Sequence, residues 1–242
     1  MLLYDNNTNC TIGAVKTDGK KIKGCEFMKE KTFDFKKEFK DLYMPKTKPM
    51  LLEVPSMNFI MVDGKGDPNN NELFQQAIEI LYGLSYTIKM SKMKGDQPEG
   101  YFNYTVPPLE GLWTVDDDHF SLKERGNWVW SVMIRQPDFV TIDVFNWACK
   151  QLKTKKPALL LEGARFETYE EGLCVQMMHI GPFATEPETM EFVNSFINAE
   201  GLKDKVGIGG GRHHEIYLSD PRKSQPEKMK TVLRHPVART YG

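Results

Sequence analysis

Residues 128–137 read Trp128-Val129-Trp130-Ser131-Val132-Met133-Ile134-Arg135-Gln136-Pro137. Aromatic and β-branched residues dominate the run, which predicts a strand, and a helical pattern begins after Pro137. Near the end of the chain, Met229-Lys230-Thr231-Val232-Leu233-Arg234 predicts another strand that closes the same way. Ile134-Arg135-Gln136-Pro137 matches Leu233-Arg234-His235-Pro236. Working outward, Glu110-Gly111-Leu112-Trp113 matches Glu215-Ile216-Tyr217-Leu218, Gly66-Asp67-Pro68 matches Gly181-Pro182, and Leu52-Glu53 matches Phe166-Glu167. Each match alone is weak. Their shared order, at an offset of about 100–115 residues, points to an internal duplication.

The elements between these landmarks repeat as well. A strand is expected at 57–62, stopped by Gly64, Gly66 and Pro68. Asn70 or Asn71 can cap a helix whose apolar face carries Leu73, Phe74, Ala77, Ile78, Leu81 and Leu84. Extended structure resumes at 101–106 and 109–113, with Pro107-Pro108 forcing a kink or an edge. After Pro137 a helix places Phe139, Ile142, Val144, Phe145, Ala148 and Leu152 on one side. In the second half, 165–169 and 173–180 read as a hairpin turned at Glu170-Glu171-Gly172. Thr185-Glu186-Pro187-Glu188 reads as a capped helix start, with Met190, Val193, Phe196 and Ile197 along the helix, and 213–218 as a strand.

The expected fold is therefore α+β: two βαββ units, about 50–137 and 163–237, related by a pseudo-twofold axis around a central ligand cleft. Each unit has one helix to cover one sheet face, and junctions between such halves commonly hold small molecules. Residues 32–242 form the domain and residues 1–31 an extension, with a short hairpin around Asp18-Gly19 and a short amphipathic helix from Thr32 to before Pro45.

Composition removes several classes of function. The 242 residues carry a net charge of -1, against a nucleic-acid binder that relies on a basic field. Lysines alternate with acids, as in Lys29-Glu30-Lys31, the pattern of solvated faces. Residues 1–50 offer at most one amphipathic helix, too little for a helix-turn-helix, so a transcription regulator is rejected. The apolar run after Met1 is short for a signal peptide, and no stretch approaches the roughly 18 apolar residues of a membrane span. Cys10, Cys25, Cys149 and Cys174 form no CxxC and read as free thiols. A cytoplasmic monomer is expected, with no membrane or nucleic-acid partner. Adjacent His213 and His214 point to opposite faces of a strand, and no HExxH occurs, so neither metal nor cofactor is expected. Gly207-Ile208-Gly209-Gly210-Gly211 lacks the Lys-Ser/Thr of a phosphate loop and reads as a connector.

Four runs carry a family resemblance: residues 107–113 (Pro-Pro-Leu-Glu-Gly-Leu-Trp), 133–141 (Met-Ile-Arg-Gln-Pro-Asp-Phe-Val-Thr), 179–183 (His-Ile-Gly-Pro-Phe) and 213–222 (His-His-Glu-Ile-Tyr-Leu-Ser-Asp-Pro-Arg). Together they resemble the GyrI-like (gyrase-inhibitor-like) small-molecule-binding family, over about residues 33–237. The resemblance implies the duplicated βαββ fold. It also implies that Glu215 corresponds to the buried glutamate that receives cationic aromatic drugs in related multidrug-responsive regulators. Some stand-alone members resemble hydrolases that open the strained cyclopropane of DNA-alkylating natural products. Where the family pattern has a second aromatic after the tryptophan, this chain has Thr114.

Strand parity places His213, Glu215, Tyr217 and Ser219 on one face. Glu215 could pair with a ligand cation or, with its pKa raised by desolvation, deprotonate a water. Tyr217 could donate to a developing oxyanion or anchor Glu215. Glu110, the repeat mate of Glu215, could share the same cleft and split acid and base roles with it. Trp113 has the opposite parity to Glu110 and joins it only through a bulge at Gly111. Trp113, Trp128, Trp130, Tyr101, Tyr104, Met178 and His213 complete the expected ligand wall. Three readings stand: an enzyme that adds water to a strained electrophile, a non-catalytic protein that sequesters aromatic or cationic small molecules, and a gyrase-modulating protein.

Overall fold

The computed structural model describes residues 31–115 and 127–240; the hairpin expected around Asp18-Gly19 lies outside them. In chain order the elements are β1 Phe33–Asp34, α1 Phe35–Glu38, α2 Lys40–Tyr43, β2 Met50–Val54, β3 Met57–Lys65, α3 Glu72–Lys89, β4 Tyr104–Thr105, β5 Leu109–Val115 and β6 Trp128–Arg135. There follow α4 Ile142–Lys155, β7 Ala164–Tyr169, β8 Gly172–Ile180, α5 Glu186–Ala199, β9 Leu202–Asp204, β10 His213–Tyr217 and β11 Lys230–Arg239. Chain order runs β3-α3-β4-β5-β6 in the first half and β8-α5-β9-β10-β11 in the second.

One large antiparallel sheet carries the order β2-β8-β11-β10-β5-β6-β3-β7, with β9 beside the end of β11. Its middle is the β5–β10 pair, which joins the two halves. The expected 165–180 hairpin does not form. Both runs are strands, but β7 pairs with β3 while β8 lies between β2 and β11. Glu171, expected in a tight turn, instead sends its carboxylate to His214 and Arg234 on β10 and β11.

These connections dictate the shape of the sheet. Strands β7 and β8 lie six places apart, about 29 Å across a flat sheet. Only Glu170 and Glu171 join them, a link that spans about 10 Å. Strands β2 and β3 are likewise six places apart and joined by Pro55-Ser56. The sheet must therefore curl until its two ends approach. It curls around the face that bears His214 and Arg234, because Glu171 on the link reaches both.

The outer face is covered by helices. Asn71 caps α3 with a 3.0 Å bond from the Leu73 N–H, and Phe74, Ala77, Leu81, Leu84 and Ile88 meet Trp113, Trp130 and Val132. Leu73, expected on this face, is exposed, as is Ile142 at the start of α4. Each occupies the first turn, ahead of the point where its helix meets the sheet. Helix α5 lays Met190, Val193 and Ile197 on Val175, Met177 and Leu233. Thr185 does not cap it; its hydroxyl donates to Pro182 O instead. On the inner face, Phe35, Leu42 and Tyr43 from the two short helices pack with Phe59, Met61, Tyr104 and Ile216. The extended run expected at 101–106 is reduced to β4, which pairs in parallel with β1.

A buried polar network ties this inner layer to the sheet. Glu171 accepts from Arg234 at 3.0 Å and lies 2.9 Å from His214 Nδ1. His214 Nε2 lies 3.0 Å from Glu110, and Glu110 also accepts from the Tyr43 hydroxyl. Arg234 further donates to Gln176 and to Leu42 O. Burial pushes the Glu171 carboxyl up, but the charges and hydrogen bonds of His214 and Arg234 outweigh it and hold the group down at about 2. Removing one member leaves uncompensated buried charge. Glu171→Ala is expected to cost about 3–5 kcal/mol in urea unfolding. The carboxyl is more acidic folded than unfolded, so its stabilisation is full above about pH 4.5 and lost as pH falls toward 2. Acid titration of wild type against Glu171→Gln, followed by circular dichroism, checks that direction.

Candidate functional site

The register of the β5–β10 pair sets Glu215 opposite Gly111, His213 opposite Trp113 and Tyr217 opposite Leu109. Directly opposed residues share a sheet face, so Glu215, His213, Tyr217 and Trp113 all project to the outer, helix-covered side. No bulge is needed at Gly111. A Cβ there would stand 2.8 Å from the Trp113 indole nitrogen, so the missing side chain is what lets the indole lie across position 111, beside Glu215.

Glu215 is buried, and both its oxygens are engaged. The Tyr217 hydroxyl donates to Oε2 at 2.7 Å, and His213 Nε2 stands 3.2 Å from Oε1. Burial raises the Tyr217 pKa well above its ordinary value; the Glu215 charge and hydrogen bond and the nearby Glu186 charge add to this, and the Trp113 indole opposes it. Tyr217 therefore stays a phenol and a donor. The buried Trp113 N–H lies near the Tyr217 hydroxyl but makes no well-aligned hydrogen bond among the described residues. Phe183, just before α5, meets the Tyr217 ring edge-on at 5.9 Å. Trp113 packs at a tilt against Trp128, 5.0 Å between ring centres, and Phe74 of α3 meets Trp130 at 5.1 Å.

The cluster thus gathers Glu215, Tyr217, His213 and Trp113, backed by Trp128 and Trp130. Other expected members lie elsewhere. Glu110 stands opposite Ile216, not Glu215, so it points to the inner face and joins His214 and Tyr43. The repeat match aligns Glu110 with Glu215, but antiparallel pairing offsets them by one residue, and one residue reverses the face. Met178 packs on the inner face with Tyr43 and Val232. Tyr104 is buried there too, and Tyr101 donates its hydroxyl to Lys89 O.

Three residues that the sequence pattern does not assign to the site belong to it. Glu186, which reads only as a helix-start acid, is buried, and its charge acts on Tyr217. His235 and Asp204 continue a hydrogen-bonded chain from His213: His235 Nε2 lies 2.7 Å from His213 Nδ1, and His235 Nδ1 lies 2.7 Å from Asp204 Oδ2. Alternation along β11 from Leu233 would have put His235 on this face. The partner of Asp204 emerges only once β9 and β11 are paired.

A buried carboxylate clasped by a phenol and an imidazole, beside an indole N–H, is the equipment of a small-molecule site. Comparison with known proteins agrees. The GyrI-like small-molecule-binding domain model matches residues 47–238, and the chain belongs to that family. An uncharacterised conserved protein of Listeria innocua is 51% identical, with a TM-score of 0.82, over 86% of this chain and 100% of that one. Two Listeria innocua structures described as hydrolases are 49% and 50% identical, with TM-scores of 0.78 and 0.79 and the same coverage. No curated protein sequence matches the chain. Among the described residues, no helix is long and apolar enough to cross a membrane.

The Gly111 geometry predicts that Gly111→Ala displaces the Trp113 indole. We expect a loss of about 1–3 kcal/mol of stability from overpacking and a changed near-ultraviolet circular dichroism signal. A variant with wild-type stability and an unaltered tryptophan signal would contradict the packing described.

Proposed function

We propose that this protein binds aromatic, drug-like small molecules against Trp113 and hydrolyses those that carry a strained, carbonyl-conjugated cyclopropane, with Glu215 as general base. The observation that carries this reading is the state of Glu215: a carboxylate buried among aromatic residues and oriented by Tyr217 O–H at 2.7 Å. Two relatives about half identical to this chain are described as hydrolases, which supports the same class of chemistry.

The chemistry follows from the groups present. Glu215 takes a proton from water as the oxygen bonds to the ring CH2. The ring C–C bond breaks, and its electron pair passes into the conjugated carbonyl, whose oxygen becomes a phenolate-type oxyanion. Tyr217, kept protonated, holds Glu215 through its single O–H, and the indole N–H of Trp113 is the donor offered to that charge. The oxyanion then takes a proton from solvent, so the product is the substrate plus one water. Glu186, the second carboxylate near Tyr217, adds negative potential that favours ligands with cationic character.

The test is incubation with a cyclopropane-bearing DNA alkylator and mass spectrometry of the products. A species one water heavier is expected, formed about 10²–10⁴-fold more slowly by Glu215→Gln. Binding of the intact compound, followed by tryptophan fluorescence, should persist in that variant. Compound that binds and is recovered unchanged from wild type would leave a sequestering protein and end the hydrolytic reading.

A further inference from the structure

Glu215 is the inner end of a hydrogen-bonded chain that reaches the surface: Glu215–His213–His235–Asp204, with contacts of 3.2, 2.7 and 2.7 Å. Side-chain exposure is 6% at Glu215, 0% at His213, 9% at His235 and 34% at Asp204. The chain therefore crosses a buried interior and opens to solvent at Asp204. The Val206 N–H fixes the other Asp204 oxygen at 2.9 Å.

Counting protons shows what such a chain must do. Every contact joins two atoms that carry lone pairs, and each needs one proton between them. Three contacts require three protons. Two neutral imidazoles bring two, so a third must reside in the chain, which then carries a net charge of -1. Two arrangements satisfy all three contacts while keeping the fully buried His213 neutral and Asp204 ionised. In one, His235 is an imidazolium paired with Asp204, His213 carries its proton on Nε2, and Glu215 is a carboxylate. In the other, both imidazoles are neutral, His213 carries its proton on Nδ1, and Glu215 is a carboxylic acid. They interconvert by a shift of two protons through His213, which changes tautomer without becoming charged.

We propose that His213, His235 and Asp204 form a proton relay that sets the ionisation of Glu215 and vents to solvent the proton Glu215 removes from water. Asp204 favours the arrangement with cationic His235 and so keeps Glu215 in its basic form. When Glu215 gains a proton at the reaction, His235 releases one through Asp204, and the net proton reaches bulk water. His213 and His235 are positioning residues, because they act through Glu215. The electrostatic surroundings fit this division. Burial, above all, lowers the His213 pKa, with the charges of His235 and His214 acting in the same direction against Glu215. Burial raises Asp204, but the hydrogen bond and charge of His235 and the Val206 N–H bring it below its ordinary value. The other groups that face the inner end are Tyr217, which donates to Glu215, and Glu186, whose charge reaches Tyr217.

The relay rests on the general-base reading of Glu215, yet it is tested without turnover. In protein labelled at glutamate carboxyl carbons and histidine ring nitrogens, NMR reads the Glu215 titration and the His213 tautomer directly. Wild type should show His213 protonated on Nε2 at neutral pH. Asp204→Asn keeps the Val206 contact through its carbonyl oxygen and so turns its N–H toward His235 Nδ1. His235 should then change from an imidazolium to a neutral ring protonated on Nε2, while His213 keeps its proton on Nε2. His235→Gln, which cannot carry the charge, should raise the Glu215 midpoint by about one pH unit, a tenfold change in ionisation. If the His235 ring nitrogens are the same in wild type and Asp204→Asn, or the Glu215 midpoint is the same in wild type and His235→Gln, the relay is wrong. If wild type hydrolyses the alkylator, the acidic limb of kcat should move alkaline by the same amount in His235→Gln, with KM unchanged; a fixed limb also overturns the relay. Absence of turnover in wild type would sink the hydrolytic reading alone, because the relay is decided by the NMR titration.

Discussion

Strands β5 and β10 meet with Gly111 across from Glu215. That pairing joins the two halves of the sheet and also assigns every site residue to its side. Because opposed residues share a face, Trp113, His213 and Tyr217 are brought to Glu215, while Glu110 and His214 are sent to the other side. The absence of a side chain at 111 then gives the indole its place. A slip of one residue in this ladder would put Glu110 on the same face as Glu215 and send Trp113 to the other side. The grouping of these side chains therefore depends on a backbone register more than on any single contact between them.

The two faces use acidic groups differently. On the inner face, Glu110 and Glu171 are balanced by Arg234, His214 and the Tyr43 hydroxyl, and the result is a tie that holds α2 against the sheet. On the outer face, the hydrogen-bond partners of Glu215 are Tyr217 and His213, one neutral and one able to share a proton. A carboxylate neutralised by a fixed guanidinium is a poor base, whereas one whose partner can trade a proton is adjustable. His213 and His214 are adjacent in sequence, yet strand alternation puts one in each setting.

Much of the fold is legible in the sequence because local patterns coincide with tertiary demands. The aromatic and β-branched run at 128–134, the Asn71 cap and the helix-period apolar residues of α3 each lead to the element observed. Strand parity at 213–217 correctly groups His213, Glu215 and Tyr217, since a period of two is a local property. What stays hidden depends on strand partners. Proximity in sequence suggests a hairpin at 165–180, but its strands belong to opposite ends of the sheet. Analogy between repeats puts Glu110 beside Glu215, and only the register across β5 and β10 reveals the one-residue offset. Asp204 and Glu186 are invisible for the same reason: each reaches the site through packing between segments distant from it in the chain.

The exchanged end strands have a consequence for how the chain reaches this structure. Strand β2 finds its partner in β8, with Met50 against Gln176, and β3 waits for β7, with Asn58 against Thr168. These pairings enclose more than a hundred residues, so loop closure must precede them, and a topology of high contact order folds slowly. During synthesis, β3 emerges with one open edge and β2 with no neighbour until the second half has left the ribosome. Neither half can complete its own sheet. Cutting the chain between α4 and β7 would therefore yield two fragments with unpaired edges, not two small domains, and expression of either one alone would call on chaperones that shield exposed strands.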